Sequence, residues 1–180
     1  MYSATMLSET ELFMALDGYG VAIFDLTNWR VMNKVVFQGL SGSNIQSVAK
    51  DRSGNVWIGT HMQGLNYYNK QTDIFSFANN EINQKTYSSR ASLTSFLSMS
   101  AESILVGTDG DGLYDYNPIK NELSVSQNYK HLKAHIPSNK ILNIIHLDEE
   151  HVLFGSYGDG LVWYNKNSHE TGSVNIPVMH

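Results

Sequence analysis

Several short patterns in this sequence could carry chemistry, and each lacks part of what that chemistry requires. Asp109-Gly110-Asp111-Gly112 places two carboxylates at alternating positions, as a calcium loop does, but Lys120 stands where the closing bidentate Glu is needed. His131 and His135 have the spacing of two zinc ligands on a helix, yet no Glu lies between them and Pro137 follows closely. We therefore expect turn chemistry at the first pattern and a solvated loop at the second.

The nucleophile and nucleotide patterns are also incomplete. The chain has 0 Cys, which excludes thiol catalysis, disulfides and Cys-ligated zinc. Gly18-Tyr19-Gly20 and Gly158-Asp159-Gly160 match only the first half of a dinucleotide fingerprint, and the sequence has no Gly-x-Ser-x-Gly elbow. We therefore predict no catalytic residues, no metal site and no cofactor.

Charge and hydropathy argue against further classes of function. Lys and Arg number 12 against 17 Asp and Glu, a net charge of −5, which lacks the basic surface of a nucleic-acid or anionic-membrane binder. No apolar run approaches the roughly 20 residues needed to cross a bilayer, and the N-terminus lacks the basic start and apolar core of a signal peptide. We expect neither nucleic-acid nor membrane contact for this segment.

The sequence contains an internal repeat, which predicts the strands and turns that carry the residues described above. Gly and Tyr are common, at 14 and 10 of 180 residues, and only 16% of residues are charged, which favours strands and turns over solvated helices. The glycines Gly20, Gly64, Gly112 and Gly160 are spaced by 44, 48 and 48 residues. They lie in four aligned segments, 15–25, 59–69, 107–117 and 155–165. This period is typical of propeller blades.

Each repeat unit predicts four short strands, labelled A to D in chain order. In the second unit the β-forming runs predict strands over 45–51, 56–60, 65–69 and 74–78, and Gly64 supplies the positive φ of the B–C hairpin. We therefore predict an all-β chain, a β-propeller segment of four four-stranded antiparallel blades that forms a partial or open propeller or a small closed ring. The chain is expected to be one segment, 1–180, with blades at about 1–37, 45–78, 93–127 and 141–176.

Aromatic residues recur at equivalent strand positions. We expect them to pack between blades, because a lone four-stranded meander cannot bury its own faces. They are Trp57, Tyr67, Tyr68, Tyr114, Tyr116, Trp163 and Tyr164.

The second unit resembles a known repeat. The run 51–60, with its Gly54-Asn55-Val56-Trp57 core, followed by Gly64-Leu65 and Tyr68-Asn69, is similar to the two-component regulator propeller repeat. The third and fourth units keep the Gly-Thr or Gly-Ser, Gly-Leu and Tyr-Asn parts of this pattern, and the first keeps only Gly20 and Phe24-Asp25. The resemblance implies a periplasmic piece of the sensor region of a Bacteroides-type hybrid two-component histidine kinase, an inner-membrane protein.

The resemblance further implies a non-catalytic segment that senses an extracellular glycan or oligosaccharide. Propeller ligands bind mostly where the B–C hairpins and the D–A connections converge, so we place the candidate binding residues there. They are Tyr19, His61, Gln63, Arg90, Asp109, Asp111, Tyr157 and Asp159. Because the four units carry no obvious cap, we also expect self-association through open blade edges or dimerisation.

Two other functions stay open on sequence grounds. A propeller enzyme, of the streptogramin-type lyase or quinoprotein kind, is similar in its Trp-containing second strand, but no converging His/Glu pair lies on the predicted hairpin tips. A protein-interaction scaffold fits the composition equally well, and hydrophobic hairpin tips would favour it.

Overall fold

The first two repeat units each form one antiparallel sheet. The computed structural model describes residues 3–16, 18–36, 39–77, 91–127 and 129–174. The strands of the first sheet are β1 (Ser3–Met6), β2 (Glu11–Leu16), β3 (Gly20–Asp25) and β4 (Arg30–Val36). Those of the second are β5 (Ile45–Lys50), β6 (Val56–Thr60), β7 (Leu65–Asn69) and β8 (Ile74–Phe77).

The third and fourth units repeat this arrangement. The third sheet consists of β9 (Leu93–Ser100), β10 (Ser103–Thr108), β11 (Leu113–Asn117) and β12 (Glu122–Val125). After the short helix α1 (Tyr129–Leu132), the fourth sheet consists of β13 (Ile141–His146), β14 (His151–Ser156), β15 (Gly160–Asn165) and β16 (Thr171–Val174). In every sheet the strands lie in chain order. The predicted all-β chain of four four-stranded antiparallel sheets is confirmed.

The C–D turns explain why the repeat ends on Asn or Asp. The side-chain oxygen of this residue accepts hydrogen bonds from two backbone N–H groups of the turn, at 2.8–3.2 Å, in all four sheets. The turn residue four positions later has a positive φ in each case, between 52° and 61°. The capping residues are Asp25, Asn69, Asn117 and Asn165.

The C-strand tyrosines reach the same turns. Tyr68 donates its hydroxyl hydrogen to Asp73 at 3.1 Å, and Tyr116 donates to Asn121 at 2.7 Å. The first unit has Phe24 instead, and its ring lies edge-on to Trp29 with ring centroids 6.1 Å apart. In the second and third sheets, the tyrosine therefore ties the C strand to the turn that follows it.

Consecutive sheets pack face to face and enclose three hydrophobic clusters. One cluster lies between the first and second sheets, one between the second and third, and one between the third and fourth. Among the described residues, no cluster joins the first sheet to the fourth. The described part of the chain is therefore an arc of four sheets with one uncovered face at each end.

The strand aromatics behave largely as predicted. The side chains of Trp57, Tyr68, Tyr114, Tyr116 and Tyr164 are buried between sheets, each with no more than 5% of its surface exposed. Tyr67 and Trp163, which occupy equivalent C-strand positions, are only partly buried. The five buried rings contribute to the clusters because their strands are covered by a neighbouring sheet on that side.

The connection between the third and fourth sheets corrects one prediction. We expected a solvated loop around His131 and His135, but part of it is the helix α1, and backbone N–H groups of His135 and Ile136 both donate to the Leu132 carbonyl. Leu132 and Ile136 are fully buried in the cluster between the third and fourth sheets. This apolar pair, four residues apart, favours the helical turn, while His131 stays exposed and His135 is partly buried.

Candidate ligand-binding face

The B–C hairpins all turn at a glycine. Gly20, Gly64, Gly112 and Gly160 have φ values between 77° and 89°, a conformation that strains any residue with a side chain. In the second sheet, Thr60 donates from its backbone nitrogen and from Oγ1 to the Gly64 carbonyl, at 3.2 and 2.7 Å. Thr108 makes the same two bonds to Gly112. These hairpin tips therefore have a defined conformation at one end of the sheets.

The D–A connections are hydrogen-bonded to the tips. In three sheets the backbone N–H that follows the B strand donates to a carbonyl of the incoming connection: His61 to Asn44 at 2.8 Å, Asp109 to Ser92 at 3.1 Å and Tyr157 to Lys140 at 3.2 Å. A second bond links the preceding sheet, since Gly20 donates to Ser43 and Gly112 donates to Asn139. Tips and connections of neighbouring sheets thus share one face of the molecule.

Side-chain contacts and one backbone hydrogen bond link residues on this face in a row across three sheets. His61 Nδ1 lies 2.7 Å from the Ser92 hydroxyl oxygen, and Ser92 accepts a backbone bond from Asp109. The Asp109 carboxylate lies 3.6 Å from Lys140 Nζ, which in turn lies 5.3 Å from the centre of the Tyr157 ring. We call His61, Ser92, Asp109, Lys140 and Tyr157 the tip row. The structure therefore brings three of the predicted residues, His61, Asp109 and Tyr157, into one connected set.

Asp159 has a different environment from the tip row. Its Oδ2 accepts hydrogen bonds from the Ser156 hydroxyl at 2.9 Å and from the Ser138 backbone nitrogen at 3.1 Å. Hydrogen bonding, above all from the Ser138 side chain and then from Ser156, lowers the pKa of Asp159. Its carboxylate is therefore ionised at neutral pH and occupied in holding the connection between the third and fourth sheets.

The other predicted residues are more dispersed. Gln63 packs onto the connection between the first and second sheets, where a Cβ added to Gly42 would fall 1.6 Å from Gln63 Oε1. Tyr19 is 68% exposed on the tip of the first sheet, and Asp111 is exposed on the tip of the third. Arg90 lies outside the described residues.

A cleft that the sequence analysis did not predict lies at the opposite end of the sheets. It has a volume of about 530 Å³ and opens between the second and third sheets. Residues of two A–B turns, of the strands beside them and of the third C–D turn line it, among them Arg52, Trp57, Tyr67, Phe77 and Tyr116. Aromatic spacing alone could not reveal it, because these aromatic residues come from four different strands and two sheets.

The most specific part of the repeat builds this end of the second sheet. Asp51 Oδ1 accepts hydrogen bonds from the backbone nitrogens of Ser53 and Asn55, and Asp51 Oδ2 accepts one from the Trp57 indole nitrogen at 3.2 Å. The indole is only 4% exposed and lies 4.6 Å from Tyr67 and 5.0 Å from Tyr116 between ring centroids. The Asp-x-x-Gly-Asn-Val-Trp stretch therefore forms the A–B turn and places the Trp57 ring between the second and third sheets. It is not part of the hairpin-tip face.

The buried tyrosines predict a loss of stability at high pH. Burial is the main cause that raises the pKa of Tyr116 to about 12 and that of Tyr68 to about 12. In the unfolded chain these groups titrate near pH 10, so the unfolded state releases protons first. We expect the free energy of unfolding to be constant up to about pH 10 and to fall between about pH 10 and 12, by about 1–2 kcal/mol per tyrosine. Urea unfolding across this range measures the effect.

Tyr116→Phe is the matched variant for this measurement. It removes the titrating hydroxyl and its hydrogen bond to Asn121 while keeping the ring. The variant should be less stable at neutral pH and should show a shallower alkaline decline. If the free energy of unfolding of the variant fell as steeply with pH as that of the unaltered chain, Tyr116 would not be a source of the alkaline loss of stability.

No group of three or more His, Asp or Glu side chains is arranged to hold a metal ion within the described residues. No helix in the described part of the chain has the length and apolar character to cross a membrane.

Comparison with known families identifies the repeat in the second sheet. Residues 39–62, which include β5, β6 and part of the hairpin tip, match the family model described as two component regulator propeller. The predicted resemblance is confirmed. The matched residues include Asp51, whose side chain holds the A–B turn, together with Trp57 and Thr60. A search of curated protein sequences finds no match.

Solved structures with the same fold include extracellular domains of hybrid two component systems. The extracellular domain of the hybrid two component system BT3049 from B. thetaiotaomicron is 20% identical with a TM-score of 0.71, over 97% of this chain and 24% of that chain. The extracellular domain of BT4673 from the same organism is 17% identical with a TM-score of 0.70, over 98% of this chain and 22% of that one. This chain therefore spans about a quarter of the length of these structures.

This chain is also similar in fold to part of a single propeller domain. The Cps50 (Swd1) β-propeller domain of Myceliophteria thermophila is 13% identical with a TM-score of 0.62. The match covers 91% of this chain and 51% of that domain. The four sheets thus have the relative arrangement of about half of such a propeller.

Proposed function

We propose that this chain is a non-catalytic, ligand-sensing segment of the periplasmic region of a hybrid two-component histidine kinase. The two component regulator propeller match and the likeness to extracellular domains of hybrid two component systems support a sensor propeller. The ligand we propose is a glycan or oligosaccharide that binds on the hairpin-tip face. The signal would be a change in how blades or copies of the chain pack.

The tip row is the observation that carries this proposal. Tyr157 presents a ring that is 67% exposed, which is suited to stack against the apolar face of a sugar ring. The neighbouring Asp109 carboxylate and Lys140 ammonium supply an acceptor and donors for hydroxyl groups. These groups stand on hairpins and connections held by repeated backbone hydrogen bonds, so binding would need little reorganisation.

The hairpin-tip face also holds one pair of side chains that an enzyme could use. Ser92 and His61 are in contact at 2.7 Å, as a nucleophile and its base would be. Activation of such a pair also requires a third group that orients the imidazole, and the described residues provide no carboxylate bonded to His61. We therefore propose binding as the function of this pair and its neighbours.

Titration calorimetry with a panel of oligosaccharides tests the proposal. Tyr157→Ala should weaken binding about tenfold or more, because stacking area is lost, whereas Tyr157→Phe should keep affinity within about twofold. Asp109→Ala should weaken binding about three- to tenfold. The control is Ile119→Ala, whose side chain is 71% exposed on a C–D turn at the other end of the sheet.

Different results of these binding measurements test the kind of ligand and the place where it binds. Binding of peptides or other non-sugar molecules alone would overturn the glycan assignment. Sugar binding that is insensitive to Tyr157→Ala but sensitive to Tyr67→Ala would move the site to the cleft between the second and third sheets. Measurable turnover that is lost in His61→Ala would overturn the non-catalytic assignment.

A further inference from the structure

Each interior sheet of this molecule has two apolar faces, and both are covered. We call the side that faces the next sheet along the chain the following face, and the other side the preceding face. On the following faces of the second and third sheets, Trp57, Leu65, Leu105 and Leu113 are each no more than 4% exposed. Burial of both faces is what makes consecutive sheets of such a repeat stable.

The fourth sheet has the same apolar following face, but no described residue of another sheet packs against it. Leu153 and Leu161 occupy the positions equivalent to Leu105 and Leu113, and both are only partly buried. Ile145 beside them is 46% exposed. Ile145, Leu153 and Trp163 are direct cross-strand neighbours, so they form one apolar row.

The first sheet has the complementary surface. On its preceding face, Leu12 and Phe24 are partly buried, although the equivalent Val56 and Tyr68 of the second sheet are no more than 3% exposed. Val31 is 53% exposed in the same cross-strand row, next to Phe24. Terminal repeats normally carry a polar outer face, and neither end of this arc does.

The glycines at the ends of the B strands show that the last following face has room for another sheet. A Cβ on Gly59 would lie 2.8 Å from both Leu93 Cβ and the Leu93 carbonyl oxygen of the third sheet. A Cβ on Gly107 would lie 2.9 Å from Ile141 Cγ2 of the fourth sheet. At Gly155 the nearest atoms belong to its own sheet, at 3.7 and 3.8 Å. No described residue of another sheet approaches Gly155, so a further sheet could pack there as closely as the next sheet packs at Gly59 and Gly107.

We propose that the following face of the fourth sheet binds the preceding face of the first sheet in a second copy of this chain, and that two copies close head to tail into an eight-sheet ring. The three interfaces inside the chain each join a following face to a preceding face, so they define the occupant that each uncovered face fits. Each copy supplies one of each. The match to the Cps50 (Swd1) propeller covers 51% of that domain, so two copies of this arc together are about as long as one such domain.

A two-fold axis relates the copies and generates two identical junctions. The contact is heterologous at each junction, and the ring closes after two copies, so filaments are not expected. The inference concerns the 180-residue chain by itself and does not depend on the ligand.

Sedimentation equilibrium and light scattering of the full chain test the proposal. The chain has a mass of 20.2 kDa, and the expected species has twice that mass. Ile145→Lys on the following face and Val31→Lys on the preceding face should each give a folded monomer, since both side chains are about half exposed already. Ile119→Lys is the matched control, because its side chain is exposed on a C–D turn outside both faces, and it should stay dimeric.

Mixing the two variants distinguishes head-to-tail contact from symmetric contact. Val31→Lys keeps an intact fourth sheet and Ile145→Lys keeps an intact first sheet, so an equimolar mixture should form a one-to-one complex through a single junction. Gly155→Ala should weaken dimerisation of the otherwise unaltered chain at least tenfold without loss of secondary structure by circular dichroism. A strict monomer up to the highest soluble concentration, a dimer that survives either lysine variant alone, or an inert mixture would each overturn the proposal.

Discussion

Gly59→Ala should lower the free energy of unfolding by about 2–3 kcal/mol, although it adds only one methyl group. The backbone at Gly59 does not have a positive φ, so the effect comes from packing and not from backbone strain. The added Cβ would lie 2.5 Å from Ser47 Oγ and 2.8 Å from the Leu93 carbonyl oxygen. The serine side chain can rotate, but the carbonyl belongs to the next sheet and can move only if the two sheets separate.

Gly155→Ala is the matched control, because Gly155 is the equivalent residue of the fourth sheet and its added Cβ would make only ordinary contacts. We expect no loss of stability, and a gain of up to about 0.5–1 kcal/mol from the reduced freedom of the unfolded chain. Urea denaturation at the lowest measurable chain concentration, where association contributes least, compares the two variants. Equal destabilisation by both would contradict the interpretation that inter-sheet approach requires the glycine.

Phe13→Ala should cost about 3–5 kcal/mol, the largest effect expected of any single truncation in the interface between the first two sheets. Phe13 is fully buried, and its ring centroid lies 5.4 Å from that of Tyr68 and 6.4 Å from that of Phe75. Truncation leaves a cavity that β-strands on both sides cannot close. Thermal and urea unfolding followed by circular dichroism measure the loss.

The same variant should also change which part of the chain opens first. The first sheet packs only against the second among the described residues, so weakening that interface should release 3–36 while later sheets stay folded. Hydrogen exchange by mass spectrometry should then show faster exchange confined to the first sheet. Phe13→Leu keeps most of the volume and should cost less than about 1.5 kcal/mol. Uniformly faster exchange in all four sheets would contradict this localisation.

Most of the fold followed from the sequence because each unit carries its own local signals. Gly64 indicated a hairpin before its φ was known, and β6 and β7 begin and end at the predicted residues. The strand β5 ends one residue earlier than predicted, since the Asp51 side chain caps the A–B turn. Local hydrogen bonding determines these features, so a single unit was sufficient to predict them.

The candidate site was less predictable because it depends on contacts between units. The hairpin positions follow from the repeat, but the ion pair of Asp109 with Lys140 joins a tip to a connection 31 residues later. The helix α1 was missed because its apolar pair, Leu132 and Ile136, looks like part of a polar loop until the neighbouring sheets bury it. The cleft beside Trp57 depends on the distance between two sheets, which no local pattern encodes.

The order of strands in each sheet has a consequence for biosynthesis. Every described strand pairs with its neighbour in the chain, and each described sheet after the first packs on the one made just before it. A nascent chain therefore never waits for a distant C-terminal partner to complete a sheet, which favours rapid folding as it emerges from the ribosome. The emerging fourth sheet would add to a finished template, and premature release would yield a shorter arc instead of a tangled intermediate.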